Sequence, residues 1–376
     1  KRRSYDLFIP YPYSDEKYGH AQFNWGGGME HQTMTFLGVY NFDILTHELA
    51  HQWFGDYITC GSWQDIWLNE GFATYCEMLA KEEIYPEDTL AWKEEVLMVV
   101  TSEPDGSVFC YDTTSENNIF SYRLSYLKGA AVLNMLRRQI GDEAFFQGIR
   151  NYLNDPLLAN GFARTPDLMA HFEIAADTNL TEFFNDWVYG EGYPSYSITY
   201  KQDANNTLTL NILQYQSHES VDCFEMKVPL QIKGKYYVND STLRDTSIIF
   251  TFHNTSNNQA FIMENVNFDV NSIAIDPFKD ILTANDTIVS INESSKNDGI
   301  QVFPNPAVQT INFKSFDNLH LESVRIFDAT GLKVLELAGN KLTNSNSIFI
   351  GNLNPGLYFA QIKTRNSTKT LKFLKQ

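Results

Sequence analysis

No stretch of about 20 apolar residues occurs in this 376-residue sequence, so no membrane-spanning helix is expected. Cysteine is scarce. The four present, Cys60, Cys76, Cys110 and Cys223, form no Cys-x-x-Cys pair and no dense framework, which excludes a fold that depends on disulfides. A bridge from Cys60 to Cys76 or Cys110 stays open in an oxidising compartment, but the simpler reading is small buried hydrophobes. Positive charge is in deficit as well: 28 Lys and Arg stand against 46 Asp and Glu, for a net charge of -18. Nucleic acid is therefore not an expected partner, and an anionic membrane surface would repel the chain. Cationic or free-amine ligands suit it better. At the start, Lys1-Arg2-Arg3 runs into Tyr5-Asp6-Leu7-Phe8-Ile9, an apolar stretch too short for a signal peptide. The first residue is not Met, and the sequence reads as a fragment or as a mature product whose upstream part is absent. Core material is plentiful. With 43% hydrophobic and 14% aromatic residues, the chain can bury two or three cores.

The organising stretch is Thr46-His47-Glu48-Leu49-Ala50-His51-Gln52-Trp53-Phe54-Gly55-Asp56, followed by Trp67-Leu68-Asn69-Glu70-Gly71-Phe72-Ala73. Phe42, Leu45, Leu49 and Phe54 recur at helical spacing, so His47 and His51 leave one face with Cβ atoms about 5–6 Å apart. Two imidazole nitrogens so placed reach one zinc ion at about 2.0–2.1 Å. Eighteen residues separate His51 from Glu70. They allow a turn at Gly55-Asp56, a loop through Trp63 and a returning helix that carries in the Glu70 carboxylate. Two His and one Glu, with a fourth position open for water, make a catalytic rather than a structural zinc pattern. Glu48, next to a ligand, points into the same cleft and is placed to take a proton from water that the metal has acidified to a pKa of about 7, as a general base does.

This combination resembles the M1 family of zinc aminopeptidases, gluzincins with His-Glu-x-x-His, eighteen residues, and then Glu inside Asn-Glu-Gly-x-Ala. The flanks Gly26-Gly27-Gly28-Met29-Glu30, His51-Gln52-Trp53-Phe54-Gly55-Asp56 and Tyr126-Leu127-Lys128-Gly129 match the family too. The resemblance covers roughly the first half of the chain. It implies a thermolysin-like, mainly α catalytic domain with one zinc ion per chain. It also implies that the strand of Gly27, Gly28 and Met29 pairs with the substrate backbone while Glu30 holds the free α-amino group. His31 stands where the family usually has Asn, and His31 is not an expected ligand. Tyr126, which periodicity alone would make a core aromatic, becomes the hydroxyl donor to the oxyanion.

Residues 5–39 read as short strands and turns. Glu77, two turns beyond Glu70, either orients a ligand His or is a solvated charge. An acidic helix is expected over 87–103, a loop from Ser107 to Ser121, and a buried helix from Ser121 to Ile140 that closes at Gly141. Further helices follow at Asp142–Leu153, from Thr165 to Ala176 and at Leu180–Val188, with His171 structural or at the surface. After Gly190-Glu191-Gly192-Tyr193-Pro194 the period changes from 3.6 to 2. Strands at Ser197–Gln202, Thr207–Gln214, Lys227–Lys233, Ser247–Phe252, Ala260–Met263 and Ser272–Ile275 suggest a seven-strand-type β-sandwich. M1 enzymes often carry such a module here; the large helical C-terminal domain that many of them add is missing.

Residues 283–299 are polar and read as a linker. Beyond them, Val302-Phe303-Pro304-Asn305-Pro306-Ala307, Ser323-Val324-Arg325-Ile326-Phe327-Asp328 and Leu353-Asn354-Pro355-Gly356-Leu357-Tyr358 look like the sorting domain of the bacterial type IX secretion system. The expected organisation is thus multidomain α+β: a catalytic domain over 1–190, a β-sandwich over 191–282, the linker, and a second small β-sandwich over 300–376. The expected protein is a secreted or cell-surface bacterial zinc aminopeptidase that acts on peptides with a free N-terminus and engages the type IX machinery. Two alternatives stay open, an epoxide hydrolase of the same family and a non-catalytic cell-surface binding protein.

Overall fold

The computed structural model describes residues 7–239, 242–290, 301–314, 321–329, 331–338, 347–364 and 368–376. Two compact units divide the chain, Lys1–Ile291 and Asn292–Gln376. The first unit opens with β1 (Gly19–Gln22), β2 (Gly28–Met29) and β3 (Met34–Leu37), one small sheet in which β3 lies between a parallel β1 and an antiparallel β2. Helix α1 (Phe42–Ala50) follows, started by the Asn41 side chain, which accepts from the Ile44 amide at 2.8 Å. That cap satisfies one of the amides a helix start leaves without a partner. The chain reverses at Gly55, whose φ of +138° is a conformation that side-chain-bearing residues rarely adopt.

From there β4 (Ile58–Cys60) pairs in parallel with β5 (Gly161–Ala163), and a short 3₁₀ turn at Trp63–Asp65 leads into α2 (Trp67–Ile84). Helix α2 is the axis of this unit: Trp67, Phe72, Ala73, Tyr75 and Met78 are fully buried. At about 1.5–3 kcal/mol for each large apolar side chain taken from water, such burial, not helix propensity, fixes α2 in place. Around it pack α3 (Thr89–Val100), α4 (Gly129–Ile140), α5 (Asp142–Asn154) and α6 (Thr165–Ala176). The expected helix from Ser121 to Ile140 is two pieces, a π-helical turn over Tyr122–Lys128 and then α4, which ends at Gly141 with φ of +87°. The loop expected from Ser107 to Ser121 contains one helical turn, Glu116–Ile119.

The remainder of the first unit is a sandwich of two sheets. One sheet is built from β6 (Pro194–Gln202), β7 (Leu208–Gln216), β10 (Gln259–Met263) and β12 (Thr287–Ser290), in the order β10-β7-β6-β12. The other joins β8 (Met226–Asn239), β9 (Thr242–Asn254) and β11 (Asp269–Ile275), in the order β11-β8-β9. Residues 287–290, expected within a linker, instead form β12, which runs parallel to β6 with Ile288 opposite Ile198. Its flanks are polar, but Thr287-Ile288-Val289-Ser290 is mostly β-branched, and pairing with β6 makes it a strand. Just before it, Ile281 and Leu282 are buried. The rest of the expected linker, 291–299, lies outside the described residues. Asp280 ties sandwich to helices, accepting from Lys93 at 2.6 Å and Arg138 at 2.9 Å, so its buried charge is compensated.

The second unit is also two sheets: β13 (Gln301–Phe303), β14 (Thr310–Lys314) and β17 (Ser347–Phe349) in the order β13-β14-β17, and β15 (Leu321–Asp328), β16 (Lys333–Ala338), β18 (Gly356–Thr364) and β19 (Thr368–Lys375) in the order β16-β15-β18-β19. Its separate core includes Ile311, Phe313, Val324, Ile326, Ile348, Ile362 and Phe373. All four cysteines are free; Cys60, Cys76 and Cys110 are buried and Cys223 is partly so. Among the described residues, no helix is long and apolar enough to cross a membrane.

Candidate active site

Helix α1 presents His47 and His51 from consecutive turns, and α2 brings Glu70 to meet them. The Glu70 Oε2 atom lies 3.3 Å from the Nε2 atoms of both histidines. Ligands bound at about 2.0–2.1 Å in a tetrahedral arrangement are separated by about that distance. The donor set, two neutral-capable imidazoles and a carboxylate, suits zinc. The remaining imidazole nitrogens are taken: Glu77 sits 2.8 Å from His47 Nδ1, and the Phe54 carbonyl accepts from His51 Nδ1 at 2.9 Å. Both bonds turn Nε2 toward the site and fix the rings. Glu77 is therefore no solvated charge.

The histidines and the carboxylates around them form one electrostatically coupled cluster. Burial works against charge on His51 and His47, but the Glu70 carboxylate outweighs it and raises them to about 10 and about 9. Burial likewise opposes charge on Glu70, yet the two histidines bring it down to about 2. Glu48 behaves differently: burial lifts it to about 7 against the pull of both histidines. Its Oε2 is buried without any partner. A buried acceptor left unmatched in a folded protein marks a place where something else is meant to bind.

Opposite α1 runs β2. Glu30, at the end of that strand, has a carboxylate oxygen within 4.8 Å of ligand atoms on Glu48 and His51. Gly28 is pressed against Glu48, so close that a Cβ there would stand 2.3 Å from Oε1; Gly27 has φ of +87°. Gln52 joins strand to helix, its Nε2 donating to the Glu30 carbonyl at 3.3 Å and to Asp56 at 2.7 Å, while its Oε1 accepts from the Thr33 amide at 2.8 Å. Tyr126 comes from the π turn and stacks on His47 with centroids 5.8 Å apart. Burial, then the charges of Glu70 and Glu30, push its pKa upward, so the hydroxyl keeps its proton. That turn reaches the site because Gly71 and Gly129 let α2 and α4 touch: a Cβ on Gly129 would lie 3.0 Å from the Gly71 Cα.

Residues 37–187 match the peptidase family M1 domain, and residues 301–376 match the secretion system C-terminal sorting domain. The chain carries both domains. Aminopeptidase 2, mitochondrial, of Saccharomyces cerevisiae is 33% identical over 214 residues, which are 54% of this chain and 22% of that protein. Probable aminopeptidase 2 of Sulfurisphaera tokodaii is 35% identical over 163 residues, 40% of this chain and 20% of that one. The chain thus spans 22% and 20% of the length of these two relatives. The crystal structure of Legionella pneumophila aminopeptidase A shares the fold with a TM-score of 0.55 at 16% identity, over 73% of this chain and 32% of that one.

In the M1 domain these groups line one cavity of about 1330 Å³. That exceeds the roughly 300–1,000 Å³ of small-molecule sites and suits an extended ligand. Every residue predicted for the site from sequence lines it; His31, not expected as a ligand, rests its ring against Phe36 with centroids 5.0 Å apart. His171 pairs with Asp155 at 3.1 Å, away from the cavity. Sequence reasoning missed Trp25, Trp63, Trp92, Glu95 and Tyr122, which also line the cavity. No motif marks them: Trp92 and Glu95 come from α3, Tyr122 from the π turn, and Trp25 and Trp63 from elsewhere in the chain, and only packing brings these elements together.

Proposed function

We propose that the protein is a secreted zinc-dependent aminopeptidase, hydrolysing the N-terminal residue from peptides. The observation that carries this reading is the Glu48 carboxylate, buried and unpartnered, beside a three-donor cluster of zinc geometry. A zinc ion held by His47, His51 and Glu70 supplies Lewis acidity toward the scissile carbonyl and acidifies a water molecule. Glu48 takes the proton of the attacking water on Oε2 and delivers it to the departing amine nitrogen. Tyr126 donates its hydroxyl proton in a hydrogen bond to the oxyanion, Glu77 keeps His47 in register, and Glu30 binds the substrate's α-ammonium.

With the Glu30 carboxylate beside Glu48 and His51, the substrate's free α-amino end would lie there, which makes the enzyme an exopeptidase. The sorting domain supports export through the type IX machinery to the cell surface or the medium. A neutral-pH assay with aminoacyl chromogenic substrates tests the core of the proposal: turnover abolished by a chelator and restored by zinc is expected. Turnover that ignores the chelator would remove the metal from the mechanism, and no turnover on any free-amine substrate would remove the activity.

A further inference from the structure

The cavity has a direction. Glu30 groups with Glu48 and His51 at one end. His47, whose Nε2 meets Glu70 beside that of His51, carries Glu77 on its Nδ1 and Tyr126 on its ring face. On the aminopeptidase reading, on which this inference rests, a peptide anchored at Glu30 must run past His47, so the residue after the scissile bond meets the wall beyond Tyr126.

That wall is aromatic and acidic. Tyr122 lies next to Tyr126, ring centroids 6.1 Å apart, and Trp92 and Glu95 project from α3 into the same cavity. The Glu95 charge acts on the Tyr122 hydroxyl together with those of Glu77 and Asp43. Two of these carboxylates are already matched, Glu77 by His47 and Asp43 by Lys81. Glu95 is exposed and has no hydrogen-bond or ion-pair partner among the described residues. Among the described residues, no Lys or Arg lines the cavity. The ligand this wall awaits is the one that also meets the unpartnered, buried Glu48 Oε2 of the same cavity.

We infer that Trp92, Tyr122 and Glu95 form the pocket for the second residue of the substrate and select a lysine or arginine there. The long alkyl stem of such a side chain lies along the aromatic faces, and its cationic head reaches the carboxylate. A neutral side chain of the same length gains the first contact and lacks the second. A glutamate is repelled.

The test compares tripeptides with the same first and third residues and Lys, norleucine or Glu in the middle, at neutral pH and low salt, on the full-length zinc-loaded enzyme. The readout is the ratio of kcat/KM for Lys over norleucine. A ratio of about tenfold is expected from one partly desolvated charge pair, declining as NaCl is raised. Glu95→Gln should bring it toward one, and Glu95→Asp should retain most of it, which a merely structural role would not do. Hydrolysis of all three peptides at equal kcat/KM overturns the pocket while leaving the aminopeptidase reading standing. An undiminished ratio in Glu95→Gln overturns the assignment to Glu95. If no peptide is cleaved, the aminopeptidase reading fails, and the pocket with it.

Discussion

Glu48 and Glu70 are carboxylates buried in one cavity, and their neighbours move them in opposite directions, the first up to about 7 and the second down to about 2. Glu70 has both histidines within 3.3 Å, whereas Glu48 Oε2 has no partner. Substitutions should separate the two. Glu48→Gln, nearly the same shape without the basicity, should keep the metal and lose turnover. Glu70→Ala leaves two donors and should bind zinc far more weakly, as elemental analysis after dialysis would show; equal occupancy in that variant sinks the ligand assignment. Glu30 has its own measurement. A carboxylate beside a desolvated ammonium is worth a few kcal/mol, about 1.5–3 for a charged hydrogen bond, and an N-acetylated peptide offers no charge in return. The wild type should therefore prefer free over acetylated peptides, and Glu30→Ala should narrow the gap with little change in zinc content. Equal cleavage of both by the wild type would turn the reading toward an endopeptidase. Helix spacing made His47, His51 and the adjacent Glu48 legible in the sequence, because it fixes where i and i+4 side chains go, whereas Glu30 was assigned only through the family resemblance. Glu77 was left between two roles, since spacing gave it the right face but could not show that His47 Nδ1 lay within reach.

The π turn at Tyr122–Lys128 is the element that periodicity could not supply. A 3.6-residue pattern runs through it without a break, yet the extra residue per turn is what places Tyr126 against His47. Tyr126→Phe removes one oxyanion donor and should lower kcat by about 10²–10³ with zinc content unchanged; a loss of only a few-fold would make Tyr126 a packing residue. At the end of the same turn, Lys128 is buried and donates to the Gly106 carbonyl at 2.6 Å. Burial, aided by Arg123 and opposed by Glu191 and Asp105, brings its pKa down to about 7. An unfolded lysine stays protonated to about 10.4. Between those values the unfolded chain holds a proton that the folded chain does not, so this group's cost to stability is full below about pH 7 and is relieved as pH rises toward 10. The Tm of the wild type relative to Lys128→Met should accordingly rise from pH 7 to pH 10, and parallel Tm profiles would mean that Lys128 stays charged when folded. The seventh strand of the first sandwich, Thr287–Ser290, escaped for the opposite reason. Its neighbours Asn285, Asp286 and Asn292 read as turn and linker residues, and pairing with Ser197–Tyr200 of β6 makes the segment a strand.

At the scale of the whole chain, two cores are closed independently. The first gathers the α2 aromatics and both sheets of the first sandwich; the second is built around Phe313, Ile326, Ile362 and Phe373. Every residue proposed for zinc, proton transfer, oxyanion or amine lies in the first unit, Lys1–Ile291, and the sorting domain match falls in the second. A hydrophobic core contributes to stability through the contacts it buries, so removing a unit with its own core leaves the other core's contacts in place. Deleting residues 300–376 should therefore leave kcat/KM on free-amine peptides and zinc content near those of the full chain, while the secreting host retains the protein inside the cell. Activity and antigen measured separately in medium, surface and cell fractions give the answer. A truncated enzyme that reaches the medium as the full chain does would remove the export role from the second unit. Loss of hydrolysis on deletion, with export unaffected, would mean that the second unit serves the catalytic site instead.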